Sequence, residues 1–138
     1  MTGDAIPPSD HVVRYVSPSK YNNGMLDWTA LLPREVDAGE SSFNWLEYFQ
    51  KSSAEENLAE VKRTHKLNRR PKGIYAKLNV GNSAARMKND HSLSREITFV
   101  HKPIDSNVSH AVMIGLQHDD EESGAILNGC VIDFMPPT

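Results

Sequence analysis

In this 138-residue chain the first constellation of residue types that move protons and hold anions is His11, Arg14, His101 and His110. Histidine ionises nearest to neutral pH, so it serves as general acid or base. Arg14 lies in His11-Val12-Val13-Arg14-Tyr15-Val16, where strand alternation puts it on one face with Val12 and Val16. A guanidinium on an otherwise apolar face needs a carboxylate or an anionic ligand. His101 closes one predicted strand and His110 opens the next, so a hairpin would bring them near each other. Two histidines and a cation can cleave RNA without a metal, one histidine acting as base and the other as acid. The plainer alternative is that Arg14 pairs with a core acid and the histidines are wetted strand ends.

A second cluster is the basic run Lys62, Arg63, His65, Lys66, Arg69, Arg70 and Lys72, which holds six of the fifteen Lys and Arg residues. Such density can grip phosphates, so Lys62, Arg63, Lys66, Arg69 and Arg70 are candidate nucleic-acid contacts. The same order of charge is ordinary complementarity to a helix C-terminus. His110, His118, Asp119, Asp120 and Glu121 include metal-ligand types, but no H-x-x-x-H, H-E-x-x-H or C-x-x-C spacing occurs. No metal or other cofactor is expected, and His118 to Glu121 reads as a solvated helix start. Ser109-His110-Ala111, with Ser41 or Ser42, brings serine and histidine together without the G-x-S-x-G elbow of a serine nucleophile. Walker and G-x-G-x-x-G loops are absent as well.

The elements that must position these residues follow from pattern. His11 to Val16 is a strand, and residues 1–10 read as a flexible lead-in. Lys20 to Gly24 marks a turn, and Met25 to Leu32 a short irregular or 3₁₀ segment. Asn44 to Phe49 suggests a short helix with Asn44 and Glu47 at capping-box spacing. A second helix starts at Ser52 or Ser53, with Ala54, Leu58, Val61 and His65 on one stripe. Ile74 to Val80 alternates, with Ile74, Ala76, Leu78 and Val80 facing the core and Tyr75, Lys77 and Asn79 facing out. Residues 83–95 are polar, with one helical turn near Ala84–Lys88. Strands follow at Glu96–Lys102 and His110–Leu116. A last helix spans residues 120–130, weakened by Gly124 and Gly129, and Val131–Phe134 continues it or adds an edge strand. Strands cluster after helices, which predicts a single α+β domain over residues 11–138, with a mainly antiparallel sheet and two or three helices.

Composition narrows the functional classes. The net charge is −3 and the pI near 6.0, which excludes coating nucleic acid by bulk charge. The one cysteine, Cys130, cannot form an intramolecular disulfide and sits in an apolar run, as a buried thiol does. No signal peptide and no apolar stretch long enough to span a membrane is seen, so a cytoplasmic protein is expected.

His11 to Val16, Ser42-Phe43-Asn44-Trp45-Leu46-Glu47-Tyr48-Phe49, Leu78-Asn79-Val80-Gly81 and Ser109-His110-Ala111 together resemble an uncharacterised family of small bacterial proteins. The resemblance implies a bacterial or phage origin and no activity. An arginine on the first strand is also similar to the opening of ADP-ribosyltransferase-like toxins, whose catalytic glutamate motif this chain lacks; that likeness is analogy only. Two functions are therefore expected. One is an interaction module that binds a protein partner or a second copy of itself. The other is a small metal-independent enzyme or binding protein acting on RNA or a nucleotide, with Arg14 on phosphate and His110 or His101 as acid–base.

Overall fold

The computed structural model describes residues 3–64 and 73–136. Their order is β1 (His11–Val16), β2 (Tyr21–Asn22), β3 (Met25–Leu26), β4 (Glu40–Trp45), α1 (Ala54–Thr64), β5 (Ile74–Asn79), α2 (Val80–Asp90), β6 (Thr98–His101), β7 (His110–Ile114), α3 (Glu121–Cys130) and β8 (Val131–Met135). Six strands form one antiparallel sheet in the order β6-β7-β4-β1-β5-β8, and β2 pairs with β3 in a separate hairpin. This is an α+β fold with a mainly antiparallel sheet, as the pattern predicted.

Both faces of the sheet are covered. Val12, Val16, Phe43, Ala76, Leu78, Ala111 and Met113 face a core completed by Met87 of α2 and by Leu127 and Cys130 of α3. On the opposite face Val13, Tyr75 and Met135 pack with Leu46 and with Leu58 and Val61 of α1. The expected stripe of α1 thus reaches the core through Leu58 and Val61, while His65 lies outside the described residues. Ser53 caps this helix by accepting from the Glu56 amide at 3.1 Å.

Four local expectations are corrected. Asn44 and Trp45 end β4 rather than start a helix, and only Leu46–Phe49 turns, as 3₁₀. Glu47 forms no capping box with Asn44; its carboxylate accepts from the His11 amide at 2.7 Å and lies 2.6 Å from His11 Nδ1. Tyr75 is fully buried, because α1 covers the face that alternation assigned to solvent. Val80 opens α2, a helix of 11 residues where one turn was expected. Its N-cap Asn79 accepts from the Asn82 amide at 2.8 Å, and its inward positions are Val80, Ser83 and Met87. A stripe holding a serine escapes a search for apolar spacing.

The segment ahead of β1 is tied to the sheet. Gly3 and Ile6 donate to the His101 and Phe99 carbonyls, and His101 donates to the Asp4 carbonyl. Ile6 is buried in the main core. Gly124 in α3 also has a packing reason, since a Cβ there would lie 2.1 Å from the Trp28 carbonyl oxygen.

Candidate functional site

The site forms where two neighbouring strands separate. β1 pairs with β5 over six residues but with β4 over only two, Val12↔Trp45 and Val13↔Asn44. Beyond Asn44, toward the start of β4, a cleft of about 500 Å³ opens, lined by Arg14 and Tyr15 of β1 and by Ser42, Phe43 and Asn44 of β4. Arg34 and Asp37 of the loop before β4, Ile104, Ser106 and Asn107 of the β6–β7 loop, and His110 complete its wall.

Arg14 and His110 leave their strands on opposite faces. Arg14 shares its face with Ser41 and Phe43, whereas the Asn44↔His110 register puts His110 with Ser42 and Asn44. A closed ladder would separate them. Here the gap joins the two faces, and Ser42 links the two residues. Arg14 Nη1 donates to the Ser42 carbonyl at 3.1 Å and to Ser41 Oγ at 2.7 Å. The Ser42 hydroxyl lies 3.3 Å from His110 Nε2.

The charge on Arg14 has no carboxylate to itself. Among the described residues no acid is in salt-bridge contact with its guanidinium. The acid that acts on it electrostatically, Asp37, is held by Arg34, which donates to it from the backbone amide, Nε and Nη2 at 2.9, 3.0 and 2.9 Å. Those bonds hold the Asp37 carboxyl below its ordinary value. Burial pushes the Arg14 pKa down to about 10, opposed in part by Asp37 and assisted by Arg34. Arg14 is therefore a cation at neutral pH, packed over the Phe43 ring at 5.6 Å. Both of its hydrogen bonds use Nη1. Its Nε–Nη2 edge makes none among the described residues, and that edge is the fork that binds a carboxylate or phosphate with two parallel bonds.

The ring of His110 is held in one orientation. Its Nδ1 lies 2.8 Å from the Lys102 carbonyl, which only accepts, so Nδ1 carries the proton. In the neutral ring the Nε2 lone pair then faces Ser42. His101, expected beside it, is elsewhere. The hairpin register sets His101 opposite Ala111, so His101 and His110 point to opposite faces. His101 is buried, donates from Nε2 to the Val108 carbonyl at 2.9 Å, and packs edge-to-face against Trp45 and tilted against Tyr48, with ring centroids 5.3 and 5.1 Å away. His11 is held by Glu47 and does not line the cleft.

Of the basic run, Lys62 and Arg63 end α1, with Arg63 bound to Glu60 at 2.7 Å. Lys66, Arg69, Arg70 and Lys72 lie outside the described residues. The run leads to Gly73, where a Cβ would fall 2.2 Å from the Tyr15 hydroxyl. Any side chain at this position would make the Tyr15 ring shift. Among the described residues no group of three or more His, Cys, Asp and Glu is arranged to hold a metal. His118 is 3.9 Å from Glu35, while Asp120 caps α3. Burial pushes the Cys130 thiol up, with Arg86 and Ser83 opposing. No helix among the described residues is long and apolar enough to cross a membrane.

Arg34, Asp37, Ser106 and Asn107 did not stand out in the sequence, since they lie in polar loops that only the fold brings to the cleft. The Arg34–Asp37 spacing of three residues, with an acid that can cap its own turn, is the one local signal they carry. No protein-family model, curated protein or solved structure matches the chain.

Proposed function

We propose that the protein binds a phosphate-bearing ligand of the nucleotide or RNA class in this cleft, with Arg14 on the phosphate and His110 as the acid–base group beside it. The observation that carries this reading is the unused Nε–Nη2 edge of Arg14, a half-buried cation that no carboxylate of the described residues neutralises. The charged side chains of the lining, Arg14, Arg34 and Asp37, leave one net positive charge. Ser42, Ser106, Asn44 and Asn107 supply polar groups for a sugar or phosphate, and the Tyr15 ring offers a surface for a base. The basic run from Lys62 to Lys72 is, by its composition, a further candidate for phosphate contact with RNA.

Inorganic phosphate and a nucleoside monophosphate, each titrated into the protein with EDTA present, should raise its melting temperature. The stabilisation follows RT ln(1 + [L]/Kd), about 2.7 kcal/mol at a hundredfold excess over Kd. Absence of any shift at tens of millimolar ligand would overturn the proposal. A shift produced equally by acetate would reassign the site to carboxylates.

A second reading, an interaction module that takes a protein partner or a second copy, is favoured by β8. That strand is the last of the sheet, and Ile132 on it is 53% exposed. Its outer edge would accept a further strand. A monomeric sedimentation profile at high concentration, unchanged by Ile132→Lys, would count against self-pairing.

A further inference from the structure

We infer that Ser42 is a nucleophile toward phosphorus, with His110 as its base, so that the cleft transfers a phosphoryl group as well as binding one. The inference deepens the phosphate-binding proposal and rests on it. Four features converge on this hydroxyl. Ser42 is exposed in the middle of β4 and lines the cleft. Its Oγ lies 3.3 Å from His110 Nε2, slightly long for a resting nucleophile–base contact, and such contacts tighten when substrate binds. His110 Nδ1–H is fixed by the Lys102 carbonyl at 2.8 Å, which leaves Nε2 to accept. The Arg14 guanidinium is anchored on the carbonyl of Ser42 itself, 3.1 Å away, so the cation and the nucleophile share one residue. Nucleophile, base, orienting group and charge stabiliser are all present.

The neighbouring serines are otherwise engaged. Ser41 Oγ donates to the Leu31 carbonyl at 2.8 Å, and Ser109 Oγ donates to Asn44 Oδ1 at 2.9 Å; both residues are buried. An elbow is not needed, because the end of the β1–β4 ladder exposes a strand serine to approach. A diagonal Ser–His pair is also an ordinary cross-strand contact, so the test must read chemistry rather than structure.

The reaction balances with water as the only co-reactant. Ser42 Oγ bonds to phosphorus of a phosphate ester held on Arg14, and its proton passes to His110 Nε2. The bond from phosphorus to the ester oxygen breaks, and the departing oxygen takes that proton. Water then attacks the phosphoserine, giving a proton to His110, which returns it to Ser42 Oγ as phosphate leaves.

The experiment exposes the full-length protein to an alkyl fluorophosphonate and measures intact mass, followed by peptide mapping. One adduct on Ser42, equal to the probe less hydrogen fluoride, is expected. It should be absent in Ser42→Ala, at least tenfold slower in His110→Gln, and suppressed by inorganic phosphate. Melting curves check that both variants fold. No adduct, with the phosphate-induced shift in melting temperature intact, would overturn the nucleophile and leave the binding site standing. An adduct that phosphate does not suppress would overturn the phosphate site instead. Equal labelling in His110→Gln would remove the base.

Discussion

Replacing Arg14 with methionine preserves length and apolar volume and removes the charge. If Arg14 is a structural anchor, the change should weaken the fold strongly, since breaking a buried ionic arrangement costs about 3–5 kcal/mol. The geometry gives a different answer. The depression of the Arg14 pKa from 12.5 to about 10 corresponds to about 3 kcal/mol against the charged form. Solvent in the cleft mouth reduces this to about 1–3 kcal/mol. Against that stand the two lost bonds from Nη1, about 1.5–3 kcal/mol each when the donor is charged, together about 3–6 kcal/mol. Ser41 Oγ keeps its bond to Leu31, and the Ser42 carbonyl is left at the cleft, where water can reach it.

The relieved desolvation offsets about half of that loss, so Arg14→Met should lower the unfolding free energy by about 2–3 kcal/mol in phosphate-free buffer. Urea denaturation at pH 7 measures it. The same titration in phosphate should stabilise the wild type and leave the variant unmoved. A loss above about 4 kcal/mol without ligand would contradict this role for Arg14, which would then be part of the scaffold. So would equal phosphate stabilisation of both proteins.

Two further outcomes follow from groups outside the cleft. Burial pushes Asp120 up, but hydrogen bonds from Ser123, His91 and Arg95 outweigh it and hold its pKa at about 2. A folded pKa below the unfolded one contributes stability above about pH 4, lost as pH falls through about 2. With its side chain 16% exposed, this is worth about 1–2 kcal/mol after screening; urea curves at pH 5 and pH 2 should show the wild type losing it and Asp120→Asn not. Gly124→Ala should destabilise by about 1–3 kcal/mol despite the better helix propensity of alanine, because its Cβ would meet the Trp28 carbonyl oxygen; a melting temperature equal to or above wild type would contradict that close approach.

The parts of the molecule legible in the sequence are those written in short-range pattern. β1 occupies His11–Val16 as expected, α3 ends at Cys130, and Val131 onward forms an edge strand. α2 was hidden because its inward positions include Ser83, and Tyr75 was misassigned because alternation cannot report a helix laid over the second face. Arg14 stands out in the sequence as a cation between Val12 and Val16, and that anomaly persists in the fold.

What remained hidden is the relation between Arg14 and His110, and it depends on register rather than residue type. A shift of one residue exchanges the faces of a strand. The register His101↔Ala111 separates the two histidines that sequence proximity had joined. Register alone would separate Arg14 from His110 as well. The β1–β4 ladder stops after two pairs, and Arg14 supplies from its side chain a donor for the Ser42 carbonyl. One interrupted ladder therefore creates the gap, orients the cation and exposes the serine. Ser42 is the point on which these effects meet. Its labelling tests whether the opening between β1 and β4 is a reaction site or only a seam in the sheet.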